Sequence, residues 1–153
     1  MTLPWTSIAT ADTRDGKLAL RRRGDRDWLI TIDGRVLMNS VDHHSEAGLG
    51  TLACRGLSSA RTPKLLLGGL GMAITLRAML DALPGTAQVT VAELNPVIVA
   101  WCRGPLAELT GSSVDDPRVT VSIGDFADAL RAASDAPSRL DAIVIDLLSL
   151  IHI

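Results

Sequence analysis

Four places in the chain put chemically capable residues at the tips of apolar stretches. The first is Gly68-Gly69-Leu70-Gly71, directly after Lys64-Leu65-Leu66-Leu67. Three glycines in four positions weaken the elements they join, so they need a reason. They allow a sharp strand-to-helix turn. They also let a ligand approach bare main chain, where amides at a helix start can meet a carboxylate or a phosphate. The second is Glu93, which closes "AQVTVAEL" about two dozen residues after Gly69. An acid at that point accepts hydrogen bonds from ribose hydroxyls, each worth roughly 1.5–3 kcal/mol when charge-assisted. The third is Gly124-Asp125 after "PRVTVSI", where Asp125 can cap a helix, accept from an adenine amino group, or do both. The fourth is Asp146 at the end of "AIVID". Plain alternatives stand beside each: a tight turn with no ligand, a solvated carboxylate, a helix cap and an exposed acid with no task. The dinucleotide fingerprint is half matched, since Gly69 and Gly71 fit and Ile74 stands where the third glycine belongs.

The elements that must hold these residues follow from pattern. From Pro63 onward, apolar runs alternate with helix-spaced stripes. "KLLLGG", "AQVTVAEL", "PRVTVSIG" and "LDAIVIDLL" read as strands. "MAITLRAMLDAL" carries Leu76, Met79, Leu80 and Leu83 on one stripe. "NPVIVAWCRGPLAEL" has Asn95 as cap and Pro96 at its first helical position, with Gly104-Pro105 to kink or end it. "DFADALRAAS" is capped by Asp125 and lines up Phe126, Ala129, Leu130 and Ala133. Strand and helix alternating at this spacing predict a parallel sheet with right-handed crossovers. "LLL" and "AIVI" are continuous apolar runs, as for strands covered on both faces, whereas "RVTVSI" alternates as at an edge. The order 3-2-1-4 follows, which brings the ends of strands 1 and 4 to a topological switch point. Upstream, "KLALRRRG", "DWLITIDG" and "RVLMNS" predict a small antiparallel meander with turns at Gly24-Asp25 and Asp33-Gly34. Arg21-Arg22-Arg23 reads as a solvated hairpin edge. A helix then carries Leu49, Leu52, Ala53 and Leu57, with Asp42 or Ser45 as cap. The predicted domains are 1–60, a β-hairpin region with its linking helix, 61–147, a Rossmann-like nucleoside-binding domain, and 148–153, a non-native tail.

Composition bounds the partners. The chain has 153 residues with 15 Lys and Arg against 17 Asp and Glu, a net charge of −2. That supplies no electrostatic attraction to nucleic acid or an anionic membrane. Cys54 and Cys102 sit in apolar helical stretches and read as buried thiols, not a disulfide. Asp42, His43, His44 and Glu46 do not make a metal site, because adjacent helical histidines point about 100° apart. No apolar run reaches the length of a membrane span, and "MTLPWTSIATADTRDG" has no signal-peptide pattern. The reading is a cytoplasmic protein without a metal.

The glycines, ribose acid, adenine-side acid and strand-4 acid occur in order on consecutive strands. Together they describe an adenosine site with a charged tail, of S-adenosylmethionine type. "PKLLLGGLGMAITLRAMLD", "VTVAELNP", "DDPRVTVSIGDF" and "LDAIVIDL" resemble the spermidine synthase (aminopropyltransferase) family, whose fold is that of class I methyltransferases; "LITIDGRVLMNS" resembles its "L-D-G-x-x-Q" hairpin. The resemblance covers roughly residues 17 to 147. It implies a donor site at Gly68, Gly69, Gly71, Glu93, Leu94, Asp125 and Phe126. It also implies that Asp146 positions or deprotonates the attacking amine. The chain departs from the family at its tail and acceptor half. The family's "GGGDG" reads Gly68-Gly69-Leu70-Gly71-Met72 here, so the acid for the donor's amino group falls at Gly71 and is missing. The hairpin glutamine falls near Leu37, and "Y-H-E" aligns with His44-Ser45-Glu46. After Asp146 the chain reads "LLSLIHI" where the family has a polar loop and three more strands, which points to a truncated product with a bare sheet edge.

Three functions stay open. One is aminopropyl transfer from decarboxylated S-adenosylmethionine to a polyamine. Another is methyl transfer from S-adenosylmethionine. The last is a non-catalytic nucleoside-binding fragment. A homo-oligomer is compatible with each.

Overall fold

The computed structural model describes residues 3–147; the predicted tail at 148–153 lies outside the described residues. The chain forms two compact units that divide between His43 and His44.

The first unit is an antiparallel meander of β1 (Thr6–Thr13), β2 (Gly16–Arg23), β3 (Asp27–Ile32) and β4 (Arg35–Asn39), in that order across the sheet. The β3–β4 connection is the two-residue Asp33-Gly34 turn. Both residues have positive φ, 47° and 79°, as a hairpin whose twist matches its strands requires. Leu18 pairs with Ile32 and Leu20 with Ile30, and all four are buried. Strand β1 was not anticipated: "TSIATADT" is mostly exposed and has little apolar content. Its presence corrects the placement of the arginine run. Arg21-Arg22-Arg23 belongs to β2, which is paired on both sides. Arg23 Nη2 pairs with Asp27 at 2.8 Å and its guanidinium lies 4.7 Å from the Trp5 ring centre. Arg22 lies 5.6 Å from the buried Trp28 ring.

The second unit contains α1 (His44–Ala53), β5 (Lys64–Gly68), α2 (Ile74–Ala82), β6 (Gln88–Glu93), α3 (Pro96–Arg103), β7 (Val119–Ile123), α4 (Phe126–Asp135) and β8 (Ala142–Ile145). All strand pairs are parallel, in the order β7-β6-β5-β8, the predicted 3-2-1-4. Leu65, Leu66 and Leu67 of the inner strand β5 are almost wholly buried, as are Leu76, Met79 and Leu80 on the stripe of α2 and Leu83 just past its end. Pro96 stands in the first turn of α3, which ends at Gly104. Asp125 caps α4 by accepting from the Ala127 amide at 2.6 Å.

Four expectations are corrected. Helix α1 packs with this unit instead of ending a separate region at residue 60: a Cβ on Gly50 would meet the Thr75 carbonyl oxygen at 2.5 Å and Ala78 Cβ at 2.8 Å. Glycine is what lets α1 and α2 touch. For the same reason the buried residue of α1 is Gly50, followed by buried Cys54 just past the helix end, while Leu52 is exposed. Ser45 lies inside the helix and donates to the Glu46 carboxylate. Strand β8 is covered on one side only: Val144 is buried, yet Ile143 and Ile145 are about half exposed. Among the described strands β8 pairs with β5 alone.

Arg118 of "DDPR" fastens the end of α2. Its Nη1 donates to the carbonyls of Leu80 at 2.8 Å and Leu83 at 3.1 Å, while Nε and Nη2 grip both oxygens of Asp116. Arg118 thereby satisfies carbonyls that a helix end leaves without partners.

Candidate functional site

The C-terminal ends of β5, β6, β7 and β8 carry Gly68, Glu93, Gly124-Asp125 and Asp146 in turn. The glycines first have structural work. A side chain on Gly68 would meet the Phe126 ring, with Cδ2 at 2.5 Å. Gly69 has φ +87° and lies against the Asp146 carbonyl, so any other residue there would be strained and would clash. Its amide donates to the Ala92 carbonyl at 2.9 Å, and the Asp146 amide donates to the Gly68 carbonyl at 2.8 Å. The bare main chain of β5 is thus what lets the loops after β6, β7 and β8 converge.

Glu93 is buried, 7% exposed. Its Oε2 accepts from the Leu70 amide at 2.9 Å and its Oε1 from the Asn95 amide at 2.9 Å. One carboxylate therefore ties the glycine turn to the loop that starts α3. Each oxygen keeps a second lone pair. Leu94 next to it is 45% exposed. Asp125 is exposed at the start of α4, and Phe126 is half-buried over Gly68.

Asp146 is half-buried, and its Oδ2 accepts from the Thr75 hydroxyl at 2.6 Å. Thr75 is buried in the first turn of α2, and the same hydroxyl lies 3.2 Å from the Glu46 carbonyl oxygen on α1. Cys102 sits beneath the glycine turn, with its thiol 3.2 Å from the Gly71 carbonyl oxygen. Burial, and then the nearby Glu93 charge, push that thiol up to about 12. Neither Thr75 nor the Cys102–Gly71 contact was foreseen. The only sequence signal for Thr75 was a polar residue on an otherwise apolar helix start. Cys54 and Cys102 are both free and buried, as predicted.

His43 Nδ1 lies 2.7 Å from the Ser40 carbonyl oxygen. Among the described residues, no three His, Cys, Asp or Glu side chains stand where they could share a metal ion. Among the same residues no helix is long and apolar enough to cross a membrane.

No family model matches the chain. Over 131 residues it is 31% identical to a polyamine aminopropyltransferase of Mycobacterium tuberculosis, a match that covers 86% of this chain and 24% of that protein. A polyamine aminopropyltransferase of Corynebacterium efficiens is 34% identical over 131 residues, with 85% and 24% covered. The chain thus spans about a quarter of the length of these curated relatives. Among solved structures, spermidine synthase from Thermotoga maritima superposes with a TM-score of 0.73 at 19% identity, covering 93% of this chain and 47% of that one. A spermidine synthase in complex with the transition-state analogue AdoDATO gives 0.74 at 19% identity, covering 94% and 47%. The second unit therefore has the α/β fold of class I methyltransferases, built on a Rossmann-like parallel sheet, and the first unit is a separate antiparallel sheet that precedes it in sequence. Within that fold the chain is similar in sequence to polyamine aminopropyltransferases.

Proposed function

We propose that this chain supplies the nucleoside-binding part of an aminopropyltransferase, which uses decarboxylated S-adenosylmethionine as donor and a polyamine as acceptor. The observation that carries the reading is the convergence of the glycine turn, Glu93, Asp125 and Asp146 at one end of a parallel sheet, in a sequence similar to polyamine aminopropyltransferases. Glu93 uses its remaining lone pairs for the ribose hydroxyls. Asp125 accepts from the adenine amino group with the oxygen not committed to its cap. Gly68, Gly69 and Gly71 present main chain to the donor. Leu94 and Phe126 provide apolar contact for the base.

In the reaction, an acceptor amine nitrogen attacks the carbon beside the sulfonium sulfur. The C–N bond forms as the C–S bond breaks, and its electron pair returns to sulfur to leave neutral methylthioadenosine. The proton released from the nitrogen passes to Asp146, which acts as general base. The rest of the catalytic work is orientation of the two reactants. No metal takes part. The setting is the cytoplasm, in keeping with two free thiols.

One observation favours a second reading. The turn Gly68 to Met72 holds no carboxylate for the donor's amino group, which suits intact S-adenosylmethionine and methyl transfer. Mass spectrometry after incubation with each donor and a mixture of diamines separates the readings. Aminopropylated diamine with methylthioadenosine supports the first; methylated product supports the second. Binding of methylthioadenosine without either product leaves a nucleoside-binding fragment.

A further inference from the structure

We infer that Thr75 is a positioning residue for Asp146, an inference that rests on the proposed role of Asp146 as proton acceptor. The Thr75 hydroxyl has one proton and two acceptors in reach, Asp146 Oδ2 at 2.6 Å and the Glu46 carbonyl oxygen at 3.2 Å. It can donate fully to only one. The shorter bond goes to the charged oxygen, as charge-assisted bonds do. Among the described residues no hydrogen bond occupies Asp146 Oδ1, so the contact fixes one oxygen and leaves the other for the incoming group. Thr75 is itself almost fully buried and β-branched, and it stands in the first turn of a helix, so its side chain is stiff. The Asp146 amide is held on the Gly68 carbonyl. Main chain and carboxylate are thus tied to neighbouring elements at two points. When a proton arrives on Asp146, the hydroxyl can turn to the Glu46 carbonyl, so the buried donor is never left without a partner.

The test compares the parent with Thr75→Val, which keeps the shape and removes the hydroxyl, and Thr75→Ser, which restores it. NMR three-bond couplings from the Asp146 backbone nitrogen and carbonyl carbon to Cγ report its χ1 rotamer without any need for turnover. A single rotamer is expected in the parent and in Thr75→Ser, and averaged couplings in Thr75→Val. A single rotamer in folded Thr75→Val, or averaging in the parent, overturns the inference. If Thr75→Val does not fold, a Thr75 hydroxyl proton resonance that moves upfield in Asp146→Ala, as the short bond to the carboxylate gives way to the longer one to the Glu46 carbonyl, supports it, and an unchanged resonance overturns it. In the transfer assay, Thr75→Val should lower kcat roughly tenfold to a hundredfold while KM for the donor stays within about twofold, and Thr75→Ser should recover most of the rate. Loss through KM alone counts against positioning. A parent that binds no nucleoside overturns the proposed function, and the couplings then still decide whether Thr75 orients Asp146.

Discussion

Glu93 carries two loads at the scale of a single residue. Its oxygens hold the Leu70 and Asn95 amides, and in the proposed site they also face a ribose. Glu93→Ala should therefore cost stability as well as affinity. Leaving two amides without their acceptor is expected to lower unfolding free energy by about 2–4 kcal/mol, read from the urea midpoint at unchanged slope. Methylthioadenosine binding to the folded fraction should weaken by about 2 kcal/mol, roughly thirtyfold. Loss of stability with unchanged affinity would leave Glu93 a strut only. The Cys102 thiol gives a second residue-scale check. Held up to about 12, it stays protonated at pH 8, so neither it nor buried Cys54 should react with a disulfide reagent until urea unfolds the chain. Gly71 tests donor choice. Its φ is +55°, a conformation that aspartate adopts more readily than most side chains. Gly71→Asp should tighten binding of the decarboxylated donor by roughly 1.5–3 kcal/mol and bind S-adenosylmethionine no better, by calorimetry.

Among the elements, α2 has an end that depends on pH. Asp116 accepts hydrogen bonds from Arg118, and these outweigh the cost of burial, so its carboxyl is lowered to about 2 from an ordinary value of 3.8. A carboxyl whose folded value lies below its unfolded one stabilises fully above the unfolded value and loses that contribution as pH falls through about 2. Asp116→Asn should remove about 2 kcal/mol at neutral pH and flatten the stability curve between pH 4 and 2, as measured by circular dichroism in urea. Much at this scale is legible from sequence. Leu65 to Leu67 read as an inner strand because nothing polar interrupts them, and the alternation in Val119 to Ile123 placed β7 at the edge. The cap at Asp125 and the start of α3 at Pro96 are local chemistry, visible without the fold. What was not legible depends on partners distant in sequence. Gly50 shows its purpose only against Ala78, Thr75 only against Asp146, and Gly68 only against Phe126. Strand β1 lacks apolar content, so pairing with β2 defines it and pattern does not.

For the whole molecule, the half-exposed Ile143 and Ile145 of β8, with exposed Leu147 just past it, form an apolar strip on a strand that lies at the edge of the sheet among the described residues. Strips of this kind recruit further strands. The 153-residue chain is expected to self-associate in light scattering as concentration rises, and Ile145→Lys should reduce that association. The proposed activity rests on the proposed nucleoside site, whose residues all lie in the second unit, so that binding can be measured on the chain alone. The most direct measurement is a calorimetric titration of the parent with methylthioadenosine, repeated on Asp125→Ala and Glu93→Ala after each is shown to be folded. One-to-one binding in the parent, weakened roughly thirtyfold by the loss of Glu93 and measurably by the loss of Asp125, is the expected result. No heat with the folded parent, or equal affinity in all three proteins, would contradict the nucleoside site and the aminopropyl transfer built on it.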